Sequence, residues 1–164
     1  MKRLFLLRHA LTHPSDVQGD AARKLTVKGE EDARAMGLEM QERGFVPEFI
    51  VCSPATRTRQ TLDCVLESFA KIPIEYVPII YTGGVGDILK MLRGMDDKYA
   101  AILMVGHNPA IHHLAASLAD DNSPLAGRLV AGYAPCTLTV LDVPHGSWKD
   151  LAEGENEVAD LIVV

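Results

Sequence analysis

Apolar stretches in this 164-residue chain are all short. None approaches the roughly 18 residues that a membrane-spanning helix needs. The opening Met1-Lys2-Arg3, followed by only four apolar residues, is too short for a secretory signal. Neither a membrane protein nor an exported one is expected. Cysteine is scarce as well: Cys52, Cys64 and Cys136 are odd in number and lack metal-ligand spacing. That argues against a cysteine metal site or a disulfide framework and for reduced thiols in a cytoplasmic protein. Basic residues do not predominate. Sixteen Lys and Arg against 22 Asp and Glu leave a formal net charge of −6, the wrong sign for general nucleic-acid binding. A local cluster of cations can still hold an anionic substrate. Aromatics make up only 5%, and the rest, 48% hydrophobic and 23% charged, is ordinary for a soluble globular protein. With no internal repeat, linker or low-complexity segment, residues 1–164 are expected to form a single domain, long enough to bury roughly two-thirds of its unfolded surface.

What the chain does have is charge at the ends of its apolar runs. Leu4-Phe5-Leu6-Leu7 finishes on Arg8 and His9, Ile102-Leu103-Met104-Val105-Gly106 finishes on His107, and Phe49-Ile50-Val51-Cys52 leads through Ser53-Pro54 to Arg57. Unbroken apolar runs of this length are expected as strands buried on both faces, at residues 3–8, 48–52 and 99–105. Residues 10–25 are polar and turn-rich, a loop. Thr26 can cap a helix ending near Arg43, with Glu30, Glu31 and Asp32 solvated near its positive end, Met36, Leu38 and Met40 in or near the core, and Gly44 as its stop. Ser53-Pro54 predicts a helix over 54–70, and Asn108-Pro109 one over 109–119, each with a capping residue followed by proline. A short strand is expected at 74–77 and, after the glycines at 83, 84 and 86, a helix over 86–95. Cys136 to Leu141 alternates like a half-exposed strand, with a hairpin partner at 146–152. Leu161 to Val164 is either an edge strand or free. The order is that of an α/β fold with a mostly parallel sheet.

Open α/β sheets bind ligands at the carboxyl ends of their strands. Two helices there start with their N-termini toward the same region, which favours anions. Arg57, one turn into its helix, leans back over the strand edge toward His9. Two histidines and two arginines at one sheet edge make a phosphate site that carries its own nucleophile.

Leu7-Arg8-His9-Ala10, Leu25-Thr26-x-x-Gly29, Ser53-Pro54-x-x-Arg57-x-x-Gln60-Thr61 and Gly106-His107-Asn108-Pro109 resemble the histidine phosphatase superfamily. The chain length is similar to that of its short members, the SixA-type phosphohistidine phosphatases. The resemblance runs in order from residue 4 to about residue 119. It implies a phosphoglycerate mutase-like fold, a three-layer sandwich around a mostly parallel sheet. It also implies His9 as the nucleophile that becomes a phosphohistidine, with Arg8, Arg57 and His107 holding the phosphoryl oxygens. The physics is compatible. Nearby cations help keep an imidazole neutral, and a carbonyl partner on its other nitrogen would fix the tautomer. Arginine's fork suits phosphate oxygens, and preorganised cations can supply most of the catalysis without a metal or any other cofactor.

The departures from the family pattern bear on substrate. Ala10 stands where the larger branch has glycine. Ser15 stands where mutase-like members often have asparagine, and Thr12 and Ser15 are either hydroxyl donors to substrate or plain loop residues. Tyr81-Thr82-Gly83-Gly84-Val85-Gly86-Asp87 has no glutamate where mutase-like members keep a general acid. Asp87 is the nearest possible acid, and its alternative role is to start a helix. Forty-nine residues from Arg57 to His107 leave little room for a lid. An open site without a strong acid suits phosphohistidine on a protein, because protonated imidazole leaves readily from a P–N bond. The expected partner is thus a phosphohistidine-bearing signalling or phosphotransfer protein. The alternatives are small phosphomonoesters or nucleotides, and a non-catalytic phospho-binding module. His112 and His113 lack helical zinc spacing relative to His107, and His13 and His145 are expected as solvated loop residues. Cys52 lies five positions before Arg57, where cysteine phosphatases need six, and is expected as a buried hydrophobe. Nothing in the chain resembles a coiled-coil seam that would set an oligomeric state.

Overall fold

Alternation along the first strand, β1 (Lys2–Arg8), sends Leu4 and Leu6 to one face of the sheet and Phe5 and Leu7 to the other. In the computed structural model, which describes residues 1–164, all four are at most 1% exposed. Each such burial contributes about 1.5–3 kcal/mol. The strands β2 (Phe49–Cys52), β3 (Ile74–Tyr76), β4 (Ala101–Gly106), β5 (Thr137–Val143) and β6 (Glu157–Val163) complete one six-stranded sheet, ordered β3-β2-β4-β1-β5-β6. β1 pairs parallel with β4, and β2 parallel with both β4 and β3. β5 runs antiparallel to its two neighbours, so the sheet is mixed but mostly parallel.

Helices cover the two faces. Met36 and Met40 of α1 (Val27–Glu42), with Leu62 and Val65 of α2 (Thr56–Leu66), pack on the Phe5 side. On the Leu4 side lie α4 (Val85–Arg93), α5 (Ala110–Leu118) and α6 (Ala126–Ala131), contributing Leu92, Leu114 and Leu129. A one-turn helix, α3 (Ile79–Thr82), precedes α4. The result is the α/β fold expected from the order of elements, in the three-layer form that the family resemblance implies.

Helix α1 begins as its sequence predicts: the Gly29 N–H donates to Thr26 Oγ1 at 3.0 Å. It stops where Gly44 adopts a left-handed φ of 71°, a conformation that costs glycine nothing. Gly29 also lets the 10–25 loop close. A side chain there would run into the Leu11 carbonyl, which accepts from the Thr26 N–H.

Several local expectations are overturned by tertiary contacts. Ser53 does not cap α2, which begins at Thr56 and ends at Leu66; its Oγ is hydrogen-bonded to His107 and accepts from the Ala55 N–H just ahead of the helix. Asn108 does not cap α5, whose N-cap position is Pro109; its amide N–H donates to the Tyr133 carbonyl and its Oδ1 has no partner. β5 is buried rather than half-exposed, lying between β1 and β6. Its hairpin partner is not the 146–152 segment but β6, which takes up the terminal apolar run. Trp148 explains the displacement: its indole is fully buried and donates to the Tyr99 carbonyl at 2.8 Å, folding that segment onto the core as a 3-10 turn. Leu38 points outward at 58% exposure, while Met36 and Met40 are buried. No helix is long and apolar enough to cross a membrane.

Candidate active site

Register alone brings the two histidines together. β1 and β4 are parallel with Arg8 opposite Gly106, so His9 and His107, the next residue of each, stand side by side. Their ring centroids are 5.5 Å apart. The third strand end lies in line with them, since the Ser53 N–H donates to the Val105 carbonyl.

His9 is held from every side. Its backbone N–H donates to the Gly106 carbonyl at 3.1 Å, and its own carbonyl accepts from the Cys136 N–H at 3.0 Å. Cys136 reaches it in a left-handed conformation, φ 59°. The ring is 7% exposed, and Nδ1 lies 2.8 Å from the Ala10 carbonyl. A carbonyl only accepts, so Nδ1 carries the proton and Nε2 keeps the lone pair. Ala10 is itself fully buried, which explains the small residue after the histidine. Its N–H donates to Thr61 Oγ1, whose hydroxyl donates to the Arg57 carbonyl.

Electrostatics keep both imidazoles uncharged. Burial pushes His9 down to about 4; the Ala10 carbonyl opposes this, and Arg57, Arg8 and Arg23 reinforce it. Burial, then Arg57 and His9, push His107 down to about 3. In the unfolded chain both would protonate near about 6.5. Between those values the unfolded state binds more protons, so folding stability falls as the pH drops from about 6.5 toward 4. In an NMR titration of the six histidines, two are expected to stay neutral down to about 4. All six titrating near about 6.5 would contradict this electrostatic picture.

The two arginines complete the cluster. Arg8 Nη1 donates to the Tyr133 carbonyl at 2.9 Å, and burial lowers its pKa. Arg57 is 6% exposed and donates from Nη1 to the Asp20 carbonyl at 2.9 Å and from Nη2 to Asp20 Oδ2 at 3.2 Å. His107 Nε2 is hydrogen-bonded to Ser53 Oγ at 2.7 Å. Six buried side-chain polar atoms in the protein have no partner, and four of them belong here: Arg8 Nε, Arg57 Nε, His107 Nδ1 and Asn108 Oδ1. Unpaired atoms of this kind cost about 1–3 kcal/mol each. A tetrahedral oxyanion would take up the two guanidinium N–H groups.

The structure thus brings Arg8, His9, Arg57 and His107 together. It treats the other three site residues differently. Thr12 Oγ1 accepts from Arg23 Nη2 at 2.7 Å, buttressing that arginine. Ser15 is exposed in a shallow recess of about 240 Å³ shared with Asp20 and Arg23. Asp87 accepts from the Gly84 N–H at 3.1 Å, as a helix-start residue does, and makes no hydrogen bond to the cluster.

Sequence reasoning missed Asp20, Tyr81, Ser53 and Tyr133. The Tyr81 hydroxyl donates to Asp20 Oδ2 at 2.6 Å, and its ring meets His107 edge-on at 5.4 Å. Arg23 Nη1 donates to Asp20 Oδ1 at 3.2 Å. Tyr133 acts through its backbone carbonyl, which no side-chain pattern reveals. The one available signal was the position of Asp20 and Arg23 in a loop at a strand's carboxyl end. Other histidines lie elsewhere: His112 donates to the Leu129 carbonyl and stacks on Tyr133, His113 is exposed, and His145 pairs with Glu155. No three His, Cys, Asp or Glu converge into a metal-holding group. Cys52 is buried, its thiol pushed up to about 12 by burial, and it donates to the Ser53 carbonyl, so it is not a poised nucleophile.

Known proteins resemble this one in sequence and in fold. A profile of the histidine phosphatase superfamily, branch 1, matches residues 4–80. The phosphohistidine phosphatase SixA of Escherichia coli K12 is 29% identical over 128 residues, 74% of this chain and 77% of that protein. The structure of a candidate phosphohistidine phosphatase SixA from Nakamurella multipartitia superposes with a TM-score of 0.85 at 31% identity, covering 99% of this chain and 95% of that one. A Plasmodium falciparum phosphoglycerate mutase shares the fold, with a TM-score of 0.60 at 16% identity over 99% of this chain and 89% of that one. Similarity in sequence and in fold over nearly the whole length means that the chain belongs to the histidine phosphatase superfamily, among its phosphatases.

Proposed function

We propose that this protein is a metal-independent phosphatase in which His9 Nε2 accepts the phosphoryl group, and that its substrate is phosphohistidine on another protein. The observation that carries the reading is the tautomer of His9: a neutral imidazole with its Nε2 lone pair free, beside guanidinium N–H groups that have no partner. In the first step Nε2 attacks phosphorus while the P–N bond to the substrate imidazole breaks, its electron pair returning to that nitrogen. In the second, water attacks the phosphorus on His9, the new P–N bond breaks, and inorganic phosphate leaves. Arg8, Arg57 and His107 hold the phosphoryl oxygens in both steps. Fixed cations at the developing charge are the largest source of rate in phosphoryl transfer and need no metal to act.

Two features favour a protein-borne phosphohistidine over small phosphoesters. The recess beside the cluster, lined by Ser15, Asp20 and Arg23, is shallow and carries no apolar wall for a small substrate. No protonated acid stands at the mouth either: Asp87 is engaged with α4, and Asp20 is held down to about 2. A P–O ester would need that proton, whereas a protonated imidazole does not.

The test is phosphate release from a phosphohistidine-bearing phosphotransfer domain in excess EDTA, with p-nitrophenyl phosphate and phosphosugars run alongside. Rapid release from the phosphotransfer domain is expected. Efficient turnover of the sugar phosphates with negligible action on phosphohistidine would reject the substrate assignment.

A further inference from the structure

Asp20 is the best-anchored group at the mouth of the cluster that the reaction above leaves idle. Its carboxylate is 54% exposed, while the Arg57 side chain it touches is 7% exposed. Asp20 therefore lies on the solvent side of the guanidinium, where a leaving group must depart. Three elements hold it: Tyr81 from α3, Arg57 from α2, and Arg23 from its own loop. His107 is the other ionisable group that feels its charge.

We infer that Asp20 is a specificity residue, whose carboxylate accepts a hydrogen bond from the second ring nitrogen of a phosphorylated imidazole and so selects P–N over P–O bonds. This rests on the phosphatase reading given above. The chemistry of the leaving group sets the requirement. An N-phosphorylated imidazole departs best when its other ring nitrogen is protonated, because the P–N electron pair then leaves with a neutral imidazole. That N–H stays in place throughout the step and needs an acceptor, not a donor. An ionised carboxylate is acceptor-only, and it also favours the positive charge of the reactive form. The Tyr81 hydroxyl foremost, then Arg23 and Arg57, hold Asp20 ionised, which makes it a poor acid for the alkoxide of a P–O ester.

The carboxylate need not be displaced for the phosphoryl group to bind. A guanidinium has five N–H donors, and Arg57 spends one each from Nη1 and Nη2 on Asp20. Three are left, including the unpartnered Nε, enough for a bidentate grip on phosphate oxygens. Arg57 can thus hold the phosphoryl group on one edge and the selecting carboxylate on the other.

The experiment compares kcat/KM on a phosphohistidine-bearing phosphotransfer domain with kcat/KM on p-nitrophenyl phosphate, whose leaving group needs no proton and offers no N–H. Wild type, Asp20→Asn, Asp20→Glu and Tyr81→Phe are measured. In Asp20→Asn the ratio of the two values is expected to fall about tenfold, the scale of one charge-assisted hydrogen bond, over and above any loss common to both substrates from a loosened Arg57. Asp20→Glu keeps most of the ratio, and Tyr81→Phe lowers it less than Asp20→Asn. Equal losses on the two substrates, or no loss, would overturn the assignment and reduce Asp20 to a support for Arg57. Failure of the parent reading is distinguishable, because it appears in the wild type as no action on phosphohistidine at all.

Discussion

His9→Ala is expected to abolish turnover, lowering kcat/KM by about a thousandfold or more, the scale seen when a nucleophile is removed from an otherwise intact site. The size follows from how little else can substitute. His107 is the other imidazole in the cluster, but its Nε2 is hydrogen-bonded to Ser53. Cys52 is buried, with its thiol pushed up to about 12. Alanine at position 9 leaves the strand register untouched, since the backbone hydrogen bonds of His9 to Gly106 and Cys136 do not involve its side chain. The variant is therefore expected to fold, which circular dichroism and a urea titration check. It should still bind inorganic phosphate or tungstate through Arg8, Arg57 and His107. Residual turnover within tenfold of wild type would mean that water attacks the substrate directly.

Arg57→Lys is expected to cost about a hundredfold or more in kcat, close to the loss in Arg57→Ala, because removing one preorganised donor to a developing oxyanion costs on the order of 10²–10³. A lysine keeps the charge but offers one compact ammonium. It cannot donate to the Asp20 carbonyl and carboxylate and also fork two phosphoryl oxygens. Steady-state kinetics on the three proteins decide the matter. An Arg57→Lys variant within a few-fold of wild type would show that charge alone suffices. The guanidinium fork would then have no role.

The parts of the fold that were legible are those whose signal is local and strong. The unbroken runs at Leu4–Leu7 and Ile102–Val105 are buried on both faces because helices cover both faces of the sheet. From two such strands running parallel, the meeting of His9 and His107 follows directly. Thr26 caps its helix because its oxygen stays free to accept from the Gly29 N–H while its proton goes to the Leu11 carbonyl. Ser53 carries an equally good capping signal, but α2 starts only at Thr56, and the Ser53 Oγ is shared between the Ala55 N–H and His107, 54 residues away. Asn108 stands one residue before the N-cap of α5, with its amide N–H on the Tyr133 carbonyl and its Oδ1 unpartnered.

The network around Arg57 was illegible for a related reason. Asp20 meets Arg57 across 37 residues and Tyr81 across 61, and loop residues carry no periodicity from which a partner could be inferred. Arg8 is fixed by a backbone carbonyl 125 residues away, an acceptor present in every residue and so invisible in the sequence. The pairing of β5 with β6 rather than with residues 146–152 depended on where one large apolar residue, Trp148, found room. Periodicity identifies strands here, but packing decides which of them pair.

The claim at the centre of this account is that the phosphoryl group passes through His9. Rapid quenching of wild type with a radiolabelled phosphohistidine-bearing phosphotransfer domain, followed by separation of the two proteins under alkaline conditions, tests it directly. The account predicts a transient label on this protein that is acid-labile, maps to His9, and is absent in His9→Ala. Label passing from the phosphotransfer domain to inorganic phosphate without ever residing on this protein, on a timescale that resolves single turnovers, would contradict it.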